Sequence, residues 1–164
     1  NHKLNGDWII GGSSNAGCRI LSEFFSDSDI EELSRQINPS KTTNLSYLPL
    51  NSNGERFPIN DPKLKPILTP RPVSDSLYLH ALLEGLAKIE LKGWEKLKEL
   101  TGTLPSKIVT IGGGAKNPQW RYIRQKIIRI PIITSKKTTS YGTALLALNS
   151  KLNNPRSGFL SEFS

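Results

Sequence analysis

The sequence contains no methionine, even at position 1, and only one cysteine, Cys18. A chain without an initiating methionine is either processed or a piece of something longer, and we expect a piece. A single cysteine cannot form an internal disulfide, which favours a reducing compartment. No apolar run approaches the ~20 residues that a membrane-spanning helix needs, so no membrane partner is predicted.

Acidic residues are fewer than basic ones, 14 against 22, which gives a net charge of +8. Such a balance raises the hypothesis of a nucleic-acid partner. The basic residues are dispersed among acids and prolines, however, and the densest run, from Arg121 to Arg129, is interpreted as a solvated helix face. We therefore predict no nucleic-acid partner. A positive charge also suits ligands that carry phosphates.

The first half of the chain mixes short regular elements with a long proline-rich stretch. Asn5-Gly6 is a strong hairpin signal ahead of a predicted strand at residues 8–10. Apolar spacing predicts helices over residues 15–25 and from about 26 to 37. Residues 39–73 carry seven prolines and little periodicity, but their interleaved apolar residues indicate an excursion packed on the domain surface.

The second half has the pattern of an α/β domain. A long helix is predicted from residue 74 to 101, with two internal glycines that allow a break or close packing. After it the pattern gives a strand at 107–111, a helix at 118–127, a strand at 130–133 and a helix at 140–148. This order indicates parallel strands joined by a helical crossover.

The strongest local signal is a strand that runs into Gly112, Gly113 and Gly114, with a helix starting near Pro118. Glycines allow a phosphate or ribose to approach the backbone, and a helix amino terminus offers N–H groups and a partial positive charge. The pattern is neither a Walker A loop nor a dinucleotide fingerprint. From these features alone, a nucleotide cradle and a ligand-free glycine turn are equally supported.

The run GGGAKNPQW at residues 112–120, with SYGTALLA at 140–147, resembles the adenosine-binding segment of the FGGY carbohydrate kinases. The run WIIGGSSNAG at 8–17 resembles the segment of those enzymes that lies beside the ATP phosphates. The resemblance covers residues 1–150, and residues 151–164 are predicted to be a polar tail. Within the family, the chain looks most similar to the xylulokinase-like D-ribulose kinases of cyanobacteria and plants. This likeness implies a cytoplasmic protein, or a chloroplast protein in a plant.

The resemblance implies a ribonuclease H-like, actin-type ATPase domain of the α/β class, with a mixed sheet flanked by helices. The sheet of such a domain starts with three antiparallel strands. This chain keeps the third and at most a stub of the second, so we expect a domain that is incomplete at its amino-terminal strands. We expect the isolated chain to be unstable, or a complementing polypeptide to fill the gap in the sheet.

The resemblance also implies roles for individual residues. Gly113 and Gly114 would lie against the α-phosphate and ribose of ATP, and Asn117 would hydrogen-bond the adenine amino edge. Trp120 would form the apolar wall of the base pocket, and a plain core position is an alternative for it. The complete set of predicted cofactor-binding residues is Gly12 and Gly17, near the terminal phosphates, and Gly113, Gly114, Ala115, Lys116, Asn117 and Trp120. Asn15 is a further candidate.

The function implied is the carboxy-terminal, ATP-binding part of a kinase that phosphorylates a pentulose, D-ribulose or D-xylulose. ATP and Mg²⁺, held through the ATP phosphates, are the expected cofactors. The general base of the family is an aspartate upstream of this segment, and the sugar site lies upstream too, so the isolated chain is expected to be inactive. A non-catalytic nucleotide-binding or regulatory module is the alternative. No catalytic or metal-binding residue is predicted, and the acids and histidines considered were Asp7, Asp27, Asp29, Asp61, Asp75, His2 and His80.

The chain departs from the family pattern at three places. Gln125-Lys126 stands where the family often has Ala-Asp, and Arg129 stands where a glycine usually precedes the last strand. The acidic residue often found ahead of the final helix is absent, and Lys136-Lys137 occupy that stretch. These departures weaken the likeness to a typical xylulokinase more than they weaken ATP binding.

Overall fold

The computed structural model describes residues 2–4 and 7–153. The chain opens with two antiparallel strands, β1 (His2–Leu4) and β2 (Asp7–Ile9), in a register that pairs Leu4 with Asp7. The predicted Asn5-Gly6 turn lies outside the described residues. The predicted strand at residues 8–10 is confirmed as β2, shifted by one residue.

A 3₁₀ helix (Cys18–Glu23) follows, and then α1 (Asp27–Gln36). The 3₁₀ helix is shorter and tighter than the helix predicted over residues 15–25, because Gly17 before it is extended and provides no side-chain cap. By contrast, Ser26 caps α1 in a reciprocal capping box with Asp29. Such a box satisfies two backbone donors at once, which explains why this helix begins where the sequence predicts.

Residues 39–73 contain only isolated bridges, in which Leu48 pairs with Ile67 and Leu50 pairs with Ala16. The segment is nevertheless anchored to the core, because Tyr47 and Leu50 are buried. The hydroxyl groups of Tyr47 and Tyr78 donate hydrogen bonds to the carbonyl oxygens of Pro70 and Leu68, respectively. The Tyr47 bond links two parts of the proline-rich stretch, and the Tyr78 bond holds this stretch against the long helix that follows it.

The centre of the domain is α2 (Asp75–Thr101), which begins at the Ser74 cap and ends at Gly102 in the left-handed conformation. Its 27 residues form one unbroken helix, so the two internal glycines serve close packing and not a break. A Cβ atom at Gly85 would stand 2.8 Å from the Tyr47 carbonyl oxygen. The core combines buried residues of α2 itself, Tyr78, Leu79, Leu82, Leu83 and Leu86, with Ile20, Leu21, Phe25, Ile37, Trp120 and Ile123 from the elements around it.

The carboxy-terminal part is the predicted α/β unit, built from β3 (Ile108–Thr110), α3 (Pro118–Ile128), β4 (Ile132–Thr134) and α4 (Thr139–Asn153). Strands β3 and β4 are parallel, as predicted, with Ile108 opposite Ile132. Their inner face forms a second, smaller core with Ile128 and Ile130, against which Leu91 and Trp94 of α2 pack. The start of the predicted polar tail at residue 151 belongs to α4, and residues 154–164 lie outside the described residues.

The strands make two separate sheets of two strands each, one antiparallel and one parallel. Over residues 2–4 and 7–153 no strand hydrogen-bonds to both sheets, which is consistent with the gap expected in a mixed sheet that is incomplete at its amino-terminal strands. Within the same residues, no helix is long and apolar enough to cross a membrane.

Candidate functional site

The glycine turn between β3 and α3 leaves its backbone open. Gly112 has φ = +91°, a conformation that favours glycine, and it leads into a short 3₁₀ helix, Gly113–Lys116. Among the described residues, no atom outside Gly113 and its two chain neighbours lies within 4 Å of the position that a Cβ atom would take at Gly113. At Gly114 the same position is 3.5 Å from the Trp120 ring and 3.7 Å from the Cys18 sulfur. One side of the turn is therefore open and the other rests on an aromatic ring.

Asn117 is the amino-terminal cap of α3. Its Oδ1 accepts a hydrogen bond from the Trp120 amide (3.0 Å), and its Nδ2 donates to the Ser34 hydroxyl on α1 (2.7 Å). Pro118 has no N–H, so the cap and the proline leave fewer free donors at this helix end than the sequence argument assumed. An adenine amino group would have to share Oδ1, which has a second lone pair.

Trp120 is a core residue, only 8% exposed, and it also lines a cleft of about 400 Å³. The structure brings Gly12, Gly17 and Trp120 to this one cleft. Its other walls are mostly apolar and come from α2 and the proline-rich stretch, with Phe57, Leu86, Gly93 and Trp94 among them. Three of the eight predicted residues thus line the same cleft. Gly114 does not line it but lies beside the ring of Trp120, which does.

The remaining predicted residues lie on the turn itself. Ala115 is buried, whereas Lys116 is exposed. The Thr134 hydroxyl, at the end of β4, donates to the Ala115 carbonyl oxygen (3.3 Å) and ties the short 3₁₀ helix to the parallel sheet. Cys18 is exposed as a residue, but the protein atoms around its sulfur displace water and raise the pKa of the thiol above its usual value, although Arg124 lowers it. This favours the neutral thiol beside the turn.

The first glycine segment is shaped by an acid from the proline-rich stretch. Glu55 is buried, and its carboxylate accepts hydrogen bonds from the Asn15 amide (2.8 Å) and the Ser14 hydroxyl (2.7 Å). Burial raises the pKa of Glu55, but these bonds and those from the Arg56 and Phe57 amides bring it below its ordinary value. The side chain of Asn15, a further sequence candidate, donates to the Gly54 carbonyl oxygen. Asn15 therefore holds the loop in shape.

Three of the five acids considered as substitutes for a catalytic base, Asp29, Asp61 and Asp75, have structural partners. Asp29 closes the capping box of α1, Asp27 lies in the first turn of the same helix, and Asp75 pairs with Arg71 near the start of α2. Asp61 accepts a hydrogen bond from the Lys63 amide. The side chains of Asp7 and His2 lie outside the part of the chain that the structure describes. Among the described residues, no group of three or more His, Cys, Asp or Glu side chains is placed to hold a metal ion.

Sequence reasoning missed an ion pair beside the cleft. Arg124 belongs to the basic run that was interpreted as a solvated face, and for this residue the interpretation is wrong: Arg124 is buried and paired with Glu90 of α2. The helical spacing could have indicated that Arg124 is buried, because residue 124 lies on the same face of α3 as Trp120 and Ile123. Arg121, Lys126 and Arg129 are exposed, as predicted.

Residues 2–150 match the C-terminal domain of the FGGY family of carbohydrate kinases. The chain belongs to this family. The match covers most of the sequence and includes both glycine segments and the cleft between them. The resemblance to this family is thereby confirmed.

Two solved FGGY-type kinases have a similar fold. A gluconate kinase from Lactobacillus acidophilus superposes with a TM-score of 0.66 at 22% identity over 88% of this chain. A ligand-bound xylulose kinase from the same organism superposes with a TM-score of 0.67 at 21% identity, again over 88% of this chain. In each case the chain spans 31% of the other protein's length. It therefore corresponds to about a third of such a kinase.

Proposed function

We propose that this FGGY domain binds ATP and ADP at the turn from Gly112 to Asn117 and in the adjoining cleft. In an intact kinase it would hold ATP while the γ-phosphate passes to a pentulose, D-ribulose or D-xylulose. The observation that carries this proposal is the open backbone at Gly113, which faces free space next to a helix amino terminus. Backbone of this kind lets a phosphorylated ligand approach closely.

In this proposal Gly113 and Gly114 lie along the α-phosphate and ribose, with Ala115 and Lys116 beside them. Asn117 reads the adenine amino group through the free lone pair of Oδ1, and Trp120 supports the base pocket from below. The other proposed members, Gly12 and Gly17, lie across the cleft near the terminal phosphates. Mg²⁺ arrives bound to those phosphates and neutralises their charge.

The sugar and the fold of the complete enzyme belong to the same proposal. The similarity to a xylulose kinase supports a pentulose as the substrate, and the similarity to a gluconate kinase makes a sugar acid the alternative substrate. We also propose that β1–β2 and β3–β4 join one actin-type sheet when a complementing polypeptide supplies the missing strand and the catalytic aspartate. The isolated chain would then bind nucleotide without phosphorylating sugar.

The experiment has two arms. Calorimetry with ADP and GDP on the chain and on Asn117→Ser tests the base site, since serine keeps the helix cap but cannot reach the base. We expect the parent chain to prefer ADP to GDP and the variant to lose this preference, and equal binding of both nucleotides by both proteins would contradict the assignment.

Phosphorylation of D-ribulose, D-xylulose and D-gluconate is then measured with the chain alone and with an added amino-terminal kinase half. Turnover by the chain alone would refute the proposed division of roles.

A further inference from the structure

Arg124 and Glu90 form a two-pronged ion pair between α3 and α2. The Arg124 Nε donates to Glu90 Oε2 and its Nη2 donates to Glu90 Oε1, both at 2.7 Å. Arg124 is buried, whereas the Glu90 side chain is 26% exposed, so the guanidinium is shielded from solvent and the carboxylate is in part accessible. Glu90 also accepts a hydrogen bond from the Trp94 indole (3.3 Å), which fixes its carboxylate from a second side. Such fork-to-carboxylate geometry is strong and directional.

The same guanidinium reaches both ends of the glycine turn. Its Nη1 donates to the Thr110 hydroxyl (3.1 Å), at the last residue of β3. Its carbon lies 5.5 Å from the centre of the Trp120 ring, within the range of a cation–π contact. Thr110 stands two residues before Gly112, and the Trp120 ring supports Gly114. One side chain thus contacts the strand that enters the turn and the ring beneath its exit.

Lysine cannot reproduce this arrangement. A planar guanidinium satisfies two carboxylate oxygens and a hydroxyl at fixed angles while it lies near an aromatic ring, whereas an ammonium group is a compact point charge. Glu90 itself lines the cleft together with Trp120. The pair therefore links the cleft wall to the turn.

We propose that Arg124 and Glu90 are positioning residues for the nucleotide: they hold the Gly112–Asn117 turn and the Trp120 ring in the arrangement that binds it. This inference rests on the nucleotide-binding function proposed above. Neither residue needs to touch the ligand. Their effect passes through Thr110 on one side and through Trp120 on the other.

The test compares ADP affinity in the parent chain and in Arg124→Ala, Arg124→Lys and Thr110→Val, at a temperature where circular dichroism shows each protein folded. We expect Arg124→Ala to raise the ADP Kd at least about tenfold, equivalent to about 1.4 kcal/mol, with Arg124→Lys restoring part of the loss. In Thr110→Val the side chain keeps nearly the same shape but loses the hydroxyl that accepts a hydrogen bond from Arg124, and we expect the ADP Kd to increase about threefold. Arg35→Ala, which removes an exposed ion pair with Glu31 on α1, is the matched control and should leave the Kd unchanged.

A spectroscopic measurement separates positioning from simple loss of stability. With 5-fluorotryptophan in the chain, the ¹⁹F signal that disappears in Trp120→Phe belongs to Trp120. ADP should shift this signal in the parent and in Arg35→Ala, and much less in Arg124→Ala at saturating ADP.

If the parent binds ADP and the folded Arg124 and Thr110 variants match it in Kd and shift, the inference is overturned and the proposed function stands. If the parent binds no ADP, both are overturned. If Arg124→Ala does not fold, Arg124→Lys and Thr110→Val decide by the same criteria.

Discussion

The Glu55 carboxylate accepts a hydrogen bond from the Asn15 amide at 2.8 Å, across 40 residues of sequence. Together with the bond from the Ser14 hydroxyl, it fixes the loop that leads from Gly12 to Gly17. The proline-rich stretch that carries Glu55 thereby shapes one side of the cleft. This stretch is therefore part of the site's architecture as well as of the domain surface.

Replacement of Glu55 by alanine is expected to lower the free energy of unfolding by about 1–3 kcal/mol, because buried backbone amides lose their acceptor. Urea denaturation measures this change. Glu31→Ala is the matched control: its carboxylate pairs with Arg35 at the surface, where such pairs contribute about 0–1 kcal/mol. Equal effects of the two substitutions would show that Glu55 does not anchor the loop.

The close approach of Gly85 to the proline-rich stretch gives a second prediction. Alanine favours a helix over glycine by about 1 kcal/mol, but a Cβ atom here would stand 2.8 Å from both Pro49 Cδ and the Tyr47 carbonyl oxygen. We expect Gly85→Ala to destabilise the domain by about 1–2 kcal/mol net, since overpacking outweighs propensity. Gly142→Ala in α4, where the space is open, should be neutral or stabilising in the same denaturation assay. A stabilised Gly85→Ala would contradict the packing described.

Arg129 ends α3 in the left-handed conformation, with φ = +61°. The family pattern places a glycine here, and the structure supplies the physical reason, because only glycine adopts this conformation without strain. We expect Arg129→Gly to raise the thermal midpoint, by an amount corresponding to about 1 kcal/mol. Arg129→Ala removes the same side chain but keeps the strain, so it should give no comparable gain. Equal gains in both variants would assign the effect to charge.

The buried His80 predicts a pH dependence of stability. Burial lowers the pKa of His80, partly offset by Glu84, and its Nε2 has no hydrogen-bond partner among the described residues. The unfolded chain therefore binds the proton more readily, and stability should fall as the pH drops below about 6.5, the ordinary pKa of histidine. Urea midpoints at pH 7.5 and 5.5 measure this loss. His80→Leu should flatten the dependence. An unchanged slope in His80→Leu would refute this role.

Much of the fold could be predicted because its signals are local. Ser26 and Ser74 cap their helices, Gly102 ends α2, and Pro118 opens α3, all within a few residues of the predicted boundaries. Such positions are set by the hydrogen-bonding needs of neighbouring backbone groups, which the sequence displays directly. The parallel pairing of β3 and β4 followed from the order of the elements.

What could not be predicted depends on contacts between distant residues. Nothing near Glu55 in the sequence indicates that its partners are Ser14 and Asn15, and nothing near Arg124 indicates Glu90. Asn117 shows the same limit within the site, since the family resemblance implied a role for it at the base but gave no sign of its bond to Ser34. Its resemblance-based role at the base stays a prediction, as do the roles of the other proposed nucleotide-binding residues.

The central claim, that this FGGY domain holds a nucleotide against the glycine turn, is tested most directly by titrating ADP into the chain and into Gly113→Val. Among the described residues, no atom beyond its two chain neighbours lies within 4 Å of a Cβ atom placed at Gly113, and its φ is outside the left-handed range, so the fold has room for a Cβ atom and the valine side chain would occupy the space proposed for the ligand. We predict saturable ADP binding by the parent and at least about tenfold weaker binding by a variant of equal thermal stability, a loss of about 1.4 kcal/mol. Equal ADP affinity in the two proteins, or no binding by a folded parent chain, would contradict the claim.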